Sequence, residues 1–183
     1  MLIDITLKVT KKIASDPVHS KPSLIGHLGT HFDVMNKEFP LEYTKRKGVV
    51  FDVSGVKDRD IDICDISLDN VEEDTFVAFY SGYIEKVNYG ENGYFTNHPQ
   101  LSYDLIEALL EKGVSIIGLD FAGIRRGKEH TPTDQYCADK GTFIIENLCN
   151  LKKLLGRDFI ANTYPMNYVG ITGLPCRVIA EVE

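Results

Sequence analysis

The densest grouping of chemically versatile side chains lies in Gly26-His27-Leu28-Gly29-Thr30-His31-Phe32-Asp33, where two imidazoles and a carboxylate stand at positions i, i+4 and i+6. Imidazole nitrogens and a carboxylate oxygen suit Zn²⁺, Mn²⁺ or Fe²⁺, and three protein ligands leave positions open for water or a substrate. A regular helix would put both histidines on one face and turn Asp33 elsewhere. A regular strand would align all three but hold His27 about 13 Å from His31. Gly29 offers a way out, because glycine tolerates a tight bend that folds His27 back toward His31 and Asp33. Spacing of this kind also arises among surface or satisfied core histidines, so the pattern alone leaves both readings open.

The rest of the chain must supply a scaffold. Its 183 residues fit a single domain spanning 1–183, and 43% apolar residues are enough to bury a full core. Acidic side chains outnumber basic ones 27 to 20, which argues against a nucleic-acid surface or docking on an anionic membrane. The N-terminus Met1-Leu2-Ile3-Asp4-Ile5-Thr6 lacks the pattern of a signal peptide, and no apolar run reaches bilayer-spanning length. Cys64, Cys137, Cys149 and Cys176 are scattered, so buried, reduced thiols and a cytoplasmic location are expected.

Alternation at Ile3, Ile5 and Leu7, and the apolar runs 48–53, 75–80, 114–120 and 143–146, read as strands. Two more strands are expected near Tyr168–Thr172 and Cys176–Glu183. Ser102 caps a helix to Lys112, with Leu105, Ile106, Leu109 and Leu110 on one face and Gly113 as its stop. A second helix is expected from Pro132 to Asp139, and a helical turn over residues 151–155. Helices and strands mix without regular alternation, which predicts an α/β domain around a mixed sheet, curved or barrel-like.

Several landmarks, in order, carry a resemblance. His27-Leu28-Gly29-Thr30-His31-Phe32-Asp33 resembles the signature H-x-G-T-H-x-D-x-P-x-H of the cyclase family that includes bacterial kynurenine formamidase and isatin hydrolase, metal-dependent amide hydrolases. Ile3-Asp4-Ile5-Thr6 is similar to that family's opening strand. The stretch from Tyr94 to Ser102 is similar to its Y-F-x-x-H-P-x-L-S, and Ile144 to Leu151 to its I-x-E-N-L-x-N-L. The resemblance implies the swivelling β/β/α fold, with His27, His31, Asp33 and the distant Glu146 holding Zn²⁺, or alternatively Mn²⁺, as one or two ions per chain. It further implies a small-molecule substrate with a linear formyl or cyclic amide, and a homo-oligomer. Glu146 fits chemically, since it ends an apolar run where an unpaired carboxylate would be costly.

Two departures from the family pattern matter. Lys37 stands where the motif ends in the acid–base histidine. A lysine is cationic near neutral pH, so it stabilises an oxyanion or donates a proton more readily than it accepts one. Lys37 is therefore the candidate catalytic residue, with a solvated loop lysine or a lost activity as alternatives. Secondly, the histidine that completes a second metal position in the family falls close to Asp134 here. Asp134 as an oxygen ligand, His130 swinging in from the preceding loop, and an ordinary carboxylate in a first helical turn all remain open. Elsewhere, His98 is expected to order backbone or line a pocket and His19 to lie in a loop. Arg125-Arg126 reads as an anion contact or a solvated turn, and residues 58–62 as a solvated charge run.

Overall fold

The computed structural model describes residues 1–182. In chain order the elements are β1 (Leu2–Asp4), α1 (Lys11–Ala14), α2 (Ser20–Leu24), β2 (His31–Asp33), β3 (Lys45–Asp52), β4 (Phe76–Tyr80), α3 (Tyr83–Lys86), α4 (Tyr103–Glu111), β5 (Ile116–Leu119), α5 (His130–Asp139), β6 (Phe143–Glu146), β7 (Phe159–Pro165) and β8 (Gly173–Val182). Short 3-10 turns join several of them, one at Leu151–Leu154 where a helical turn is expected.

All eight strands form one sheet in the order β1-β8-β2-β6-β5-β4-β3-β7, and a further β7–β8 ladder closes it. The strands β3, β4, β5 and β6 run parallel, whereas β2 and β7 join β8 by antiparallel pairing. β1 and β2 share one edge of β8 in succession, pairing at residues 179–181 and 173–175. The result is a closed mixed barrel with helices outside it, the α/β architecture read from the sequence.

Period-two alternation decides what faces inward. Phe76, Ala78 and Tyr80 of β4, Ile116 of β5, Phe143 and Ile145 of β6 and Phe32 of β2 fill the barrel. Their neighbours Val77, Phe79, Ile117, Leu119 and Ile144 point outward to a second core completed by Leu105, Ile106 and Leu109 of α4. Ser102 caps α4, its hydroxyl accepting from the Leu105 N–H.

Some expectations need correction. Residues 168–172 are not a strand but part of the exposed connection between β7 and β8, where Gly170 has φ +78° and Val169 is exposed. The strand before it is β7, whose inward residues Phe159, Ala161 and Thr163 are too weakly apolar to stand out. His19 is buried and stacks on Tyr89 with ring centroids 5.0 Å apart. Arg125 is also buried, its guanidinium paired to Asp60 at 2.6 Å and Glu129 at 2.7 Å, so Asp60 holds a partner rather than a solvated face. All four cysteines are free, but Cys64 is exposed. Among the described residues, no helix is long and apolar enough to cross a membrane.

Candidate metal centre

The outward face of the barrel wall positions the first donors. Phe32 and Ile145 point into the barrel, so the residues flanking them point out. His31 lies directly opposite Glu146 in the β2–β6 ladder, and Asp33 opposite Ile144. His27 lies just before the strand. Gly29 turns the chain with φ +69°, and a Cβ there would come within 2.7 Å of Val9. Gly26, at φ +86°, packs so tightly on the start of β8 that a Cβ would lie 1.9 Å from the Gly173 carbonyl oxygen. The two glycines bring His27 Nδ1 to 3.1 Å from His31 Nε2 and 2.9 Å from Asp33 Oδ1.

α5 supplies the remaining donors. Its first residue is His130, so the helix starts before Pro132, which its first turn accommodates. His130 and Asp134 therefore share a face one turn apart, with His130 Nε2 at 3.1 Å from Asp134 Oδ2 and 3.6 Å from Glu146 Oε1. The other Glu146 oxygen, Oε2, is 3.6 Å from His31 Nε2. Two groups of donor atoms emerge, His27/His31/Asp33 and Asp33/His130/Asp134, each with its atoms within 4.8 Å of one another. Asp33 belongs to both, and Glu146 faces a histidine of each. Asp134 and His130, posed as alternatives by the sequence, come together in one group.

The electrostatics are those of crowded, buried carboxylates. Asp33, Asp134 and Glu146 are all buried, and their ion-pair partners among the described residues are histidines only. No hydrogen bond of normal geometry reaches either oxygen of Asp33 or Asp134 or Oε1 of Glu146, although imidazole nitrogens lie 2.9 Å from Asp33 Oδ1 and 3.1 Å from Asp134 Oδ2. Burial, then the Asp33 and Asp134 charges, push the Glu146 carboxyl well above its ordinary value, and burial with Asp33 does the same to Asp134. Burial also acts to raise Asp33, yet the His27 and His31 rings hold it below the usual range.

The imidazoles point the same way. His31 Nδ1 lies 2.9 Å from the Gly29 carbonyl oxygen, which can only accept, so the proton is on Nδ1. Burial lowers the His31 pKa and favours the neutral ring, leaving a lone pair on Nε2. His27 Nε2 contacts Thr172 Oγ1 at 2.8 Å; the hydroxyl can donate or accept, so His27 Nδ1 either carries a proton toward Asp33 Oδ1 or offers a lone pair to a cation. His27 Nδ1 and His31 Nε2 face one another at 3.1 Å. A divalent cation would take both nitrogens as ligands and offset the carboxylate desolvation, and the mixed N/O donor set suits one.

Lys37 makes no ion pair with the carboxylates of this cluster; its Nζ is 2.6 Å from Asp139 Oδ1 at the end of α5. It lines a cavity of about 950 Å³ between residues 34–44 and 164–174, together with Phe39, Tyr164, Met166 and Tyr168. Thr172 lines the same cavity and also contacts His27. Thr172 carried no signal of its own in the sequence.

His98 is 1% exposed and stacks on Phe121, with Nδ1 at 2.7 Å from the Pro99 carbonyl oxygen and Nε2 unpartnered. Burial pushes its pKa down to about 4. The ring stays neutral in the fold while an unfolded histidine protonates below about 6.5, so stability falls as the pH drops from about 6.5 toward 4. The expected loss is about 3 kcal/mol. Urea unfolding of the parent and of His98→Gln at pH 7 and pH 4 checks this: the variant should lose less stability by roughly that amount.

A closed mixed barrel whose outer wall gathers three histidines and three buried carboxylates defines a scaffold suited to divalent cations. The chain belongs to the family described as "Putative cyclase", whose model matches residues 3–125. That match includes His27, His31 and Asp33 but stops before α5 and Glu146. An uncharacterized protein of Methanocaldococcus jannaschii is 24% identical over 185 residues, covering 97% of this chain and 90% of its own. Isatin hydrolase A from Ralstonia solanacearum superimposes with a TM-score of 0.80 at 18% identity, covering 100% of this chain and 92% of its own. Isatin hydrolase A from Labrenzia aggregata, bound to benzyl benzoate, gives 0.77 at 18% identity, with coverage of 100% and 93%. At these identities the structural likeness establishes the fold.

Proposed function

We propose that this protein is a metal-dependent hydrolase that cleaves a carbon–nitrogen bond in a linear formyl or cyclic amide. The observation that carries the reading is the convergence of three buried carboxylates and three imidazoles, with carboxylate oxygens that no hydrogen bond of normal geometry satisfies. Such an arrangement costs several kcal/mol per uncompensated charge, and a divalent cation compensates all of it at once. Family membership and the isatin hydrolase names of its structural neighbours support the reaction class.

His27, His31 and Asp33 form one position, and His130 and Asp134 share Asp33 in the second, with Glu146 reaching toward both. Bound Zn²⁺ or Mn²⁺ supplies Lewis acidity, lowering the pKa of water and polarising a carbonyl. Thr172 orients His27 from behind. Lys37, steadied by Asp139, offers an ammonium at the cavity wall to stabilise negative charge on the substrate carbonyl oxygen or protonate the leaving nitrogen. The cavity's aromatic and thioether side chains present apolar surface to the rest of a small substrate.

A second reading is a metal-holding binder without turnover, favoured by one observation: Lys37 replaces the family's acid–base histidine and already holds a partner in Asp139. A panel of N-formyl and cyclic amides, assayed with metal-free and metal-loaded protein, separates the two. Hydrolysis that appears only on loading is expected. Bound metal with no turnover across the panel would favour the binder.

A further inference from the structure

We propose that Asn147 and Tyr94 are positioning residues for His31, acting through the Gly29 carbonyl. The inference rests on the metal-centre reading above and concerns how the ligand's tautomer is set. Asn147 follows Glu146 directly and has φ +59°, a left-handed conformation unusual outside glycine. It is 1% exposed and both polar ends of its side chain are used. Its Nδ2 donates to the Gly29 carbonyl oxygen at 2.9 Å, and its Oδ1 accepts from the hydroxyl of the fully buried Tyr94 at 2.7 Å. The Gly29 oxygen accepts the His31 Nδ1–H at 2.9 Å from another direction. The Gly29 N–H is tied as well, donating to the Tyr89 hydroxyl at 3.0 Å.

A return bond makes this a clamp. Thr30 Oγ1 donates to the Asn147 carbonyl oxygen at 2.8 Å, so the bend that carries His31 and the strand end that carries Glu146 are fastened at two points. Tyr94 fixes which way the Asn147 amide faces, since its hydroxyl donates to Oδ1 and leaves Nδ2 for Gly29. The Gly29 oxygen is then held where it accepts the Nδ1 proton, and Nε2 is left as a lone pair facing His27 and Glu146. A carboxylate or carbonyl behind a ligating histidine commonly plays this part. Here the carbonyl is held in turn by an amide and a phenol.

The test uses the full chain with Asn147→Gly, which removes the amide while keeping the left-handed backbone comfortable, and Tyr94→Phe as the milder change. Long-range ¹H–¹⁵N spectra of the histidine rings in metal-free protein report the tautomer, and chelator competition with Zn²⁺ reports affinity. For the parent, a single Nδ1–H form of His31 is expected. Asn147→Gly should mix the tautomers and weaken Zn²⁺ binding roughly 10–100-fold, with Tyr94→Phe moving both in the same direction by less. A purely structural clamp would lower thermal stability and leave the tautomer unchanged. An unaltered Nδ1–H form in a folded variant therefore overturns the proposal, through Tyr94→Phe should Asn147→Gly not fold. A parent that binds no Zn²⁺ sinks the metal reading instead, and the ring spectra still decide the role of Asn147.

Discussion

Replacing His31 by alanine is expected to empty the His27/His31/Asp33 position and abolish hydrolysis while the barrel stays folded. His31 faces three other donors, with Nε2 3.1 Å from His27 Nδ1, 3.7 Å from Asp33 Oδ1 and 3.6 Å from Glu146 Oε2. Removing it breaks the group His27/His31/Asp33 and leaves Glu146 Oε2 without its histidine neighbour. Affinity at that position should fall by more than about 100-fold, beyond the usual effect of losing an outer partner. Turnover should drop by at least about 10³-fold, equivalent to roughly 4 kcal/mol of transition-state stabilisation. The side chain faces outward from the barrel, opposite to Phe32, so no large core cavity follows. Elemental analysis and amide hydrolysis on the same preparation check both parts. Normal turnover by this variant would refute the mechanism.

Asp134→Asn should act in opposite directions on the metal-free and metal-loaded forms. Without a cation, Asp134 is a buried carboxyl among Asp33 and Glu146 whose ion-pair partner among the described residues is His130. The neutral amide keeps shape and a hydrogen-bonding oxygen while removing the charge, so the metal-free variant should be more stable by about 1–3 kcal/mol. For a chain of this size that raises the melting temperature by roughly 3–10 °C. The pH dependence follows from the raised carboxyls. Glu146 and Asp134 titrate above their unfolded values, so metal-free stability declines as the pH rises beyond about 4, and the variant should show a shallower decline. Saturating metal stabilises the parent by RT ln(1 + [M]/Kd), about 2.7 kcal/mol at one hundred times Kd, and the variant should lose much of that gain. Melting curves with and without Mn²⁺ at pH 5 and pH 7.5 test this. A metal-free variant less stable than its parent would mean that Asp134 is there for an ordinary ion pair.

Much of this site was legible before any coordinates because its first segment is local. His27, Gly29, His31 and Asp33 lie within one bend, and Gly29, with Gly26 just before it, lets them converge. Glu146 was legible as an acid ending a buried run, and the β2–β6 register gives the reason by setting it opposite His31. His130 was harder, because Pro132 marks a helix start in sequence whereas α5 begins two residues earlier. That small shift converts a loop histidine into a helical partner of Asp134. Thr172, Asn147 and Tyr94 could not be assigned roles, since their work lies in hydrogen bonds spanning 145, 118 and 53 residues. The fold divides similarly. Strands with strong apolar runs were plain, while β7, built on Phe159, Ala161 and Thr163, emerges from its pairing with β3 and β8.

The central claim is that buried carboxylates and imidazoles on the outer barrel wall exist to hold divalent cations. Titration of metal-free full-length protein with Zn²⁺ and with Mn²⁺, read as bound metal per chain, tests it most directly, with Asp33→Asn measured alongside because Asp33 belongs to both donor groups. The account predicts one to two ions per chain for the parent and a collapse of binding at both positions in Asp33→Asn. A parent ratio near zero with either metal, or full binding by Asp33→Asn, would contradict it.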